Sequence, residues 1–371
     1  MRKLWLGVIV IALVILAIVL LVPQTKQEPK EIRIGVILPL TGDIASYGER
    51  VKNGAEVALA EVRENKEFIP ITIEWQDDQN NAMSAVNIMK TFCTVKRYPV
   101  VIGAAGSSVS LAIAPIANQY QIVQISPLSS AASLTTEGGD YFFRICPADD
   151  QQAKALASWV AEKNYKKIAV VYTNNAWGQG LADAFSKYFS PLGKGEIVAV
   201  EATIEGHTDF RTSLTKIKEL GVEAIVSPTY PKEGGSLVRQ TKELGLKVDL
   251  YGADNWGAPE FIQIAGNAAE GCLFVSQYSY TGPEFQKLDT KYRQAYGKPA
   301  DVFVAYGYDV VYAIAYATEK AKTLTGPDIR ASLLNVSFQG ASGLIEFDKY
   351  GDLKTNAFVR KVIRNGKVVA Y

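Results

Sequence analysis

Short runs of β-branched residues alternate with longer segments of helical period along most of this chain, and that rhythm constrains the fold more than any other feature. The first four runs predict strands at residues 32–38, 71–77, 100–104 and 122–126. Between the first two, apolar residues recur on one helical face over residues 51–62, which is typical of an amphipathic helix. Strands and helices that alternate in this way form parallel sheets covered on both faces.

The same alternation resumes after Pro147. It predicts further strands at residues 168–172, 197–204, 224–228 and 250–254, with helices around 151–163 and 209–220. A chain of 371 residues is too long for one ordinary core, and this many strands fit two sheets better than one. We therefore expect two doubly wound α/β lobes. Changes of composition at residues 142–150 and 271–279 indicate where the chain crosses between them.

The charged and reactive residues exclude several functions. There are 39 Lys and Arg residues against 38 Asp and Glu residues, so the net charge of +1 offers no overall field for nucleic acid or an anionic membrane surface. His207 is the single histidine, which excludes a multi-histidine metal site. Cys93, Cys146 and Cys272 leave at least one thiol unpaired. Cys146 and Cys272 fall in the two crossings, where a hinge disulfide is one alternative and free thiols are the other.

The N-terminal residues indicate the cellular location of the protein. Residues 4–22 carry no charge and follow Arg2 and Lys3, and at helical rise they span ~28 Å, close to the ~30 Å hydrocarbon core of a bilayer. We expect residues 1–30 to form a signal anchor and tether, with the remainder outside the cytoplasm. A cleaved secretory signal is the alternative, and it predicts the same compartment.

Candidate binding residues follow the strands. In open α/β sheets, ligands bind beyond the carboxyl ends of the strands, where loops and helix N-termini gather. Hydroxyl-rich turns stand at residues 106–110 and 125–130, and in the second lobe the strand ends lead to Trp177, Tyr230 and Asp254. The alternative interpretation is structural, because serine and aspartate also cap helices and aromatic rings also pack lobes together.

Five short stretches carry a resemblance to a known family. They are Ile34-Gly35-Val36-Ile37-Leu38-Pro39-Leu40-Thr41-Gly42, Ser46-Tyr47-Gly48, Val101-Ile102-Gly103, Ile125-Ser126-Pro127 and Trp177-Gly178-Gln179-Gly180. In their order and spacing they resemble the type I periplasmic binding proteins, specifically the leucine/isoleucine/valine-binding family of ABC importers, over nearly all of the chain from Glu31 onward. The resemblance implies two lobes joined by a multi-strand hinge. We expect lobe I at 31–148 plus 277–343 and lobe II at 149–276 plus 344–371.

The resemblance also implies roles for individual residues. The implied ligand-binding set is Tyr47, Ser107, Leu128, Ser129, Ser130, Trp177, Tyr230 and Asp254. In it, Ser107 and Ser130 hold the α-carboxylate of an amino acid, the Leu128 carbonyl accepts from its amino group, and Asp254 supplies the counter-charge from lobe II. A zwitterion taken out of water needs donors at one end and a carboxylate at the other.

The three aromatic residues Tyr47, Trp177 and Tyr230 are implied to line the side-chain pocket. Leu128, Trp177 and Asp254 depart from the family pattern in size or polarity, so the pocket is expected to differ in dimensions from those of relatives. Amides, urea and aromatic acids, which other relatives bind, therefore remain alternative ligands.

The implied function is capture of a branched-chain or similar amino acid and its delivery to an ABC permease and its ATPase. We expect a monomer that performs no chemistry and needs no cofactor. An enzyme is disfavoured because no dinucleotide or phosphate-binding glycine motif follows a strand. A sensory receptor ectodomain that passes lobe closure to a membrane partner is the second alternative.

Overall fold

The computed structural model describes residues 31–277, 282–354 and 358–371. Within these ranges the chain forms two sheets with parallel centres and helices on their faces, so the predicted α/β class is confirmed. The predicted membrane segment at residues 4–22 lies outside the described residues. Among the helices inside them, none combines the length and the apolar character that crossing a membrane requires.

The first sheet consists entirely of parallel strands. They are β1 (Ile32–Leu38), β2 (Ile71–Asp77), β3 (Val100–Gly103), β4 (Val123–Ser126) and β5 (Phe142–Arg144). Their spatial order is β2-β1-β3-β4-β5. Every residue of β3, β4 and β5 is buried, as expected for strands covered on both faces.

The second sheet continues the parallel pattern and adds an antiparallel edge. The remaining strands are β6 (Lys167–Thr173), β7 (Glu196–Thr203), β8 (Ala224–Ser227), β9 (Asp249–Gly252), β10 (Leu273–Gln277), β11 (Ser337–Gln339), β12 (Leu344–Glu346), β13 (Phe358–Arg364) and β14 (Lys367–Ala370). The second sheet has the order β14-β13-β10-β9-β8-β6-β7, with β13 and β14 antiparallel to their neighbours. Strands β11 and β12 pair separately.

Helices separate nearly all of these strands. They are α1 (Ala45–Glu64), α2 (Ala82–Thr91), α3 (Ser107–Gln119), α4 (Leu134–Glu137), α5 (Asp149–Glu162), α6 (Ala176–Phe189), α7 (Arg211–Glu219), α8 (Pro231–Glu243), α9 (Pro259–Ala265), α10 (Pro283–Tyr296), α11 (Val302–Lys320) and α12 (Gly326–Leu333). The predicted helices at 151–163 and 209–220 correspond to α5 and α7. A short 3₁₀ turn, Asp254–Gly257, follows β9.

Helix α11 packs closely on α1, and two glycines permit the approach. A Cβ atom added to Gly54 of α1 would lie 2.0 Å from the Val304 carbonyl oxygen, and one added to Gly307 of α11 would lie 2.0 Å from the Val51 carbonyl oxygen. Any side chain at either position would therefore force the backbones apart. The contact carries α11 into the core of the first sheet, although it follows β10 of the second sheet in sequence.

Two strands that the sequence analysis did not identify lie within the predicted crossings. Strands β5 and β10 lie within stretches whose change of composition was interpreted as a crossing. Ile345, Phe347 and Leu353 pack with the core of the first sheet, although the predicted boundary at 344 places them in lobe II. The exact limits of the lobes stay predictions.

The cysteines correct the disulfide alternative. Cys93, Cys146 and Cys272 are all free and buried. Cys146 belongs to the core beside the first sheet, whereas Cys272 belongs to a core beside the second. Burial raises the pKa of the Cys272 thiol to about 12, so this group stays protonated and unreactive at neutral pH.

Candidate functional site

Each sheet has a switch point, where the chain leaves neighbouring strands in opposite directions. In the first sheet it lies between β1 and β3, and in the second between β6 and β8. The segments that follow these four strands contain Tyr47 in the first turn of α1, Ser107 at the start of α3, Trp177 in α6 and Tyr230 just before α8. Switch points of parallel sheets are where ligands bind in this class of fold.

These segments surround one cavity. The empty space between them, including a part that is open to solvent, is about 660 Å³. The lining residues are Ile44, Tyr47, Ala105, Ser107, Leu128, Ser130, Cys146, Pro147, Asp149, Gln152, Trp177, Tyr230, Asp254, Asn255, Gln277, Phe303, Tyr306 and Phe358. Every residue of the predicted set except Ser129 is among them.

The wall contributed by lobe I offers hydrogen-bond donors. The Ser107 hydroxyl accepts from the Ala131 N–H at 3.2 Å, so its own proton remains available to a ligand. Ser107 opens α3, whose N-cap residue Gly106 has no side-chain cap. The first amide groups of a helix have no acceptor within it, and together with the helix dipole they attract anions. This corner of the cavity therefore suits a carboxylate.

Ser129 has a different position. It is fully buried, and its hydroxyl lies 2.8 Å from the Ser110 hydroxyl and 3.1 Å from the carbonyl oxygens of Ala104 and Ala105. Its N–H donates to the Ser126 hydroxyl at 2.8 Å. Ser129 thus holds the turn in place behind the cavity wall, and its neighbours Leu128 and Ser130 face the cavity.

Two carboxylates also line the cavity. Asp149, almost fully buried at the start of α5, accepts from the Ser130 hydroxyl at 3.0 Å. With its amide oriented to meet complementary partners, Gln152 donates to Asp149 Oδ1 at 3.1 Å and accepts from the Asp254 N–H at 2.8 Å. Gln152 therefore links the two acidic residues at the lobe II side of the cavity.

Burial makes both of these carboxylates reluctant to ionise. Desolvation, with a further contribution from the charge of Asp254, raises the pKa of Asp149 to about 8. Desolvation likewise raises the pKa of Asp254. No Lys, Arg or His is among the described residues that line the cavity. The buried guanidinium of Arg144 is already engaged by Asp352 Oδ1, at 2.6 Å from its Nε.

Aromatic rings form the remaining walls. Trp177 and Tyr230 stack with ring centroids 4.8 Å apart and planes 14° from parallel. Tyr47 meets Phe303 edge-on at 4.7 Å, and its centroid lies 6.5 Å from that of Tyr230. The Tyr47 hydroxyl and Asn255 Oδ1 are buried without a hydrogen-bond partner among the described residues. Buried polar atoms are rarely left unsatisfied, so both are candidates to contact a ligand.

Hydrogen bonds join the two lobes across the mouth of this cavity. The Ser108 hydroxyl accepts from the Ala176 N–H at 2.9 Å. Asn80 Nδ2 donates to Glu205 Oε1 at 2.7 Å, and Asn175 of lobe II donates to the other oxygen of the same carboxylate at 3.0 Å. The lobes are therefore closed on each other in this structure.

Two ion pairs support the closed arrangement. Lys232 of lobe II lies 3.0 Å from Asp43 of lobe I. Arg50 of lobe I pairs with Glu260 of lobe II. The Lys232–Asp43 pair is about half exposed and contributes at most about 1 kcal/mol to the stability of the closed form. The guanidinium of Arg50 in the second pair is mostly buried.

Several lining residues were missed by sequence analysis. Asp149 stands in the stretch that was interpreted as a crossing, and Gln152 stands in the predicted helix that follows it. Their position at a crossing beside the cleft is the signal that could have found them. Tyr306 belongs to the core of the first sheet and also lines the cavity. Phe303 gave no signal, since it belongs to an apolar helix.

Comparisons with known proteins decide the family. A sequence profile described as periplasmic binding protein matches residues 31–367. The chain is 30% identical over 347 residues to the Leu/Ile/Val-binding protein BraC3 of Rhizobium johnstonii, covering 92% of this chain and 94% of the relative. The chain belongs to the type I periplasmic binding proteins, in their leucine/isoleucine/valine-binding family.

Solved structures of this family have the same fold. The leucine binding protein LivK of Thermotoga maritima superposes with a TM-score of 0.84 at 28% identity, covering 92% of this chain and 97% of its own. The branched-chain amino acid transporter substrate binding protein LivJ of Streptococcus pneumoniae, solved with isoleucine, gives 0.83 at 30% identity, covering 92% and 98%. This periplasmic binding protein is thus a solute-binding protein and not an enzyme. Its family implies a location outside the cytoplasm.

Proposed function

We propose that this protein captures an α-amino acid, branched-chain or similar, in the cleft between its lobes and delivers it to the permease of an ABC importer. The observation that carries the proposal is the pair Asp149 and Asp254 in a cavity without a cation among its described lining residues. Two carboxylates that burial makes reluctant to ionise are stabilised when a ligand ammonium supplies the missing positive charge.

The other end of the ligand meets complementary groups. A carboxylate can accept from the Ser107 hydroxyl and from the first amide groups of α3, where the cap position is open. The donor corner belongs to lobe I, whereas Asp254 belongs to lobe II. A zwitterion that reaches both therefore bridges the cleft.

The side chain of the ligand lies against aromatic and aliphatic groups. Ile44, Leu128, Phe303 and the stacked pair Trp177 and Tyr230 provide apolar surface. Apolar surface removed from water contributes about 25 cal/mol per Å². This lining favours an aliphatic or aromatic side chain, in agreement with the isoleucine bound in the solved structure of LivJ.

Closure of the lobes is the step that retains the ligand in the cleft. A ligand that contacts both lobes has more interactions in the closed state, so it shifts the population toward closure. The contacts between Ser108 and Ala176 and between Asn80 and Glu205 exist only when the lobes meet. The contacts of the ligand and these hydrogen bonds together lower the free energy of the closed form relative to the open form.

The transport partners follow from the proposed role. A permease and its ATPase would accept the ligand when the closed protein opens at the membrane surface. The uncharged run at residues 4–22 would keep the protein close to them as an anchor, on the basis of its length and flanking charges alone.

A thermal-shift screen of the purified protein tests the proposal. The panel contains the common amino acids, simple amides, urea and benzoate, and a ligand that binds the folded state raises the melting temperature. The proposal expects the largest shift from an aliphatic or aromatic amino acid. Stabilisation by benzoate or amides without any response to amino acids would contradict it.

A further inference from the structure

A buried arginine stands behind the donor corner of the cavity, the corner formed by Ser107 and the start of α3. Arg144, the last residue of β5, is completely buried, and it is not one of the described residues that line the cavity. A charge removed from water in this way is stable only where ion pairs and hydrogen bonds replace its hydration. The proposed binding of the ligand makes no direct use of this charge, so its partners indicate its role.

One partner of Arg144 is Asp352, which lies 208 residues further along the chain. Nε of Arg144 donates to Asp352 Oδ1 at 2.6 Å, and its Nη2 donates to the Thr135 hydroxyl at 2.6 Å. The Thr135 hydroxyl in turn donates to Asp352 Oδ2 at 2.6 Å. The three side chains therefore close a ring of hydrogen bonds, which fixes the plane of the guanidinium.

The backbone around Asp352 is itself fixed on β5. Asp348 Oδ1 accepts from the Asp352 N–H at 3.0 Å, and the Gly351 carbonyl accepts from the Arg144 N–H at 3.0 Å. Gly351 has a φ of +82°, and a Cβ atom there would lie 2.1 Å from the Phe142 carbonyl oxygen. Only glycine fits this close approach. Asp352 is therefore a rigid anchor for Arg144.

The remaining nitrogen of Arg144 holds the turn at residues 129–131. Nη1 donates to the Ala131 carbonyl oxygen at 2.8 Å and, at a longer 3.4 Å, to that of Ser129. Both carbonyl groups are thereby directed toward Arg144, behind the wall of the cavity. Their negative oxygens are thus kept away from a ligand carboxylate.

The same turn determines the direction of the Ser107 hydroxyl. The Ala131 N–H donates to the Ser107 oxygen at 3.2 Å, which leaves the Ser107 proton available to a ligand. On the other side of the turn, the Ser130 carbonyl accepts from the Asp149 N–H at 2.8 Å. Arg144 therefore acts on Ser107 through Ala131, without contacting the ligand.

The charge of Arg144 also reaches the cavity. Desolvation and the charge of Asp254 raise the pKa of Asp149 to about 8, whereas the hydrogen bond from Ser130 and the charge of Arg144 act in the opposite direction. The positive field of Arg144 is therefore felt at a residue that lines the cavity, where it favours the negative end of a ligand.

We propose that Arg144 is a positioning residue for the ligand carboxylate: anchored by Asp352, it orients the turn at residues 129–131 and thereby the hydroxyl of Ser107. The cleft consequently prefers a carboxylate to a neutral group of the same shape. The inference rests on the function proposed above and adds a residue that sets the selectivity for one end of the ligand. A merely structural arginine would change the stability of the protein and would affect all ligands alike.

Isothermal titration with L-leucine and L-leucinamide separates these two roles. The compounds share a carbon skeleton and, at about pH 6.5, an ammonium, but leucinamide has a neutral amide where leucine has its carboxylate. Arg144→Lys keeps a positive charge beside Asp352 and loses the planar fork that reaches the turn. Thr135→Val is the matched control, because it removes a hydroxyl from the same ring and alters neither bond to the turn.

We expect Arg144→Lys to raise the dissociation constant of leucine about tenfold and that of leucinamide about twofold at most. The reason is that a hydrogen bond to a charged group contributes on this order, whereas a neutral amide gains less from it. Thr135→Val should lower the melting temperature and preserve the ratio of the two dissociation constants. A folded Arg144→Lys protein with the parent's ratio would overturn the proposal.

A second variant keeps the test valid if Arg144→Lys does not fold. Arg144→Met with Asp352→Asn removes both charges together, so no buried carboxylate is left without its partner. Circular dichroism establishes that this protein folds, and it should lose the preference for leucine over leucinamide to a similar extent. A folded double variant that retains the parent's preference would show that Arg144 only stabilises the fold.

A failure of the amino-acid assignment gives a different result. If the parent binds benzoate and no amino acid in the screen, the titrations use benzoate and benzamide, and Arg144→Lys should again weaken only the carboxylate. The proposed ligand would then be wrong and the role of Arg144 would stand. A parent that binds neither leucine nor benzoate would overturn both.

Discussion

Replacing Asp254 by asparagine removes one of the two carboxylates proposed to face the ligand ammonium, while preserving the size of the side chain. A hydrogen bond to a charged group contributes about 1.5–3 kcal/mol, which corresponds to roughly a ten- to hundredfold change in the dissociation constant. Asp254 is only half-buried, whereas Asp149 is almost fully buried. We therefore expect Asp254→Asn to raise the dissociation constant by about tenfold, near the lower limit of this range.

The second carboxylate explains why the loss is limited. The charge of Asp254 is one of the causes that raise the pKa of Asp149 to about 8. Removing it lowers that pKa, so Asp149 ionises more easily and takes over part of the interaction with the ammonium. The double variant Asp149→Asn with Asp254→Asn should accordingly lose more affinity than the two single variants predict by addition.

Isothermal titration of L-leucine into the parent and these three variants measures the effect. Asp183→Asn is the matched control, because it removes an exposed carboxylate from α6 of the same lobe. Circular dichroism and melting temperatures establish that the variants fold. An Asp254→Asn protein that folds and binds leucine as tightly as the parent would refute the assignment of the ammonium to this corner.

Three further predictions follow from the described contacts. In the parent, Asp149 retains a proton up to about pH 8 that the unfolded chain releases near pH 4, so this group should lower the stability to urea by up to about 1.4 kcal/mol per pH unit between these values. Burial raises the pKa values of Asp78 and Asp309 to about 6, and these groups add to the slope at lower pH. Asp149→Asn should therefore reduce the slope most clearly between about pH 6 and 8, and an unchanged slope there would contradict the cause given. Gly54→Ala should lower the free energy of unfolding in urea by about 1–3 kcal/mol, because its Cβ would meet a backbone carbonyl of α11. Gly180→Ala is the control and should not destabilise the fold, since nothing lies within 4 Å of its Cβ; equal effects of the two substitutions would argue against close packing at Gly54. Asn80→Ala should weaken leucine binding about fivefold by removing the bond to Glu205 from the closed state, and unaltered affinity in calorimetry would show that this bond does not support closure.

Much of the fold could be predicted from sequence because its long strands and helices have clear periods. The predicted strand 32–38 matches β1, and the predicted helices around 151–163 and 209–220 match α5 and α7 within two residues. Strand β5 has only three residues, too few to establish a period, and β10 lies in a stretch whose change of composition was interpreted as a crossing. The return of residues 345–353 to the first core depends on tertiary packing that local patterns do not record.

The candidate site shows the same division. Ser107, Trp177, Tyr230 and Asp254 could be predicted because each follows a strand and the carboxyl ends of parallel strands gather at one edge. Asp149 was missed because its stretch has the composition of a solvated turn, whereas in the folded chain it is buried and lines the cavity with Asp254. The position of Ser129 behind the wall likewise depends on the direction of one side chain within a turn, which sequence does not specify.

The central claim is that the two acidic residues in the cavity require an ammonium on the ligand. The most direct measurement is calorimetric titration of the parent protein with L-leucine and with 4-methylpentanoate, which has the same carbon skeleton and carboxylate but no amino group. Our account predicts that leucine binds and that 4-methylpentanoate binds at least about a hundredfold more weakly, since without an ammonium it leaves Asp149 and Asp254 without a partner. Equal affinity for the two compounds would contradict it.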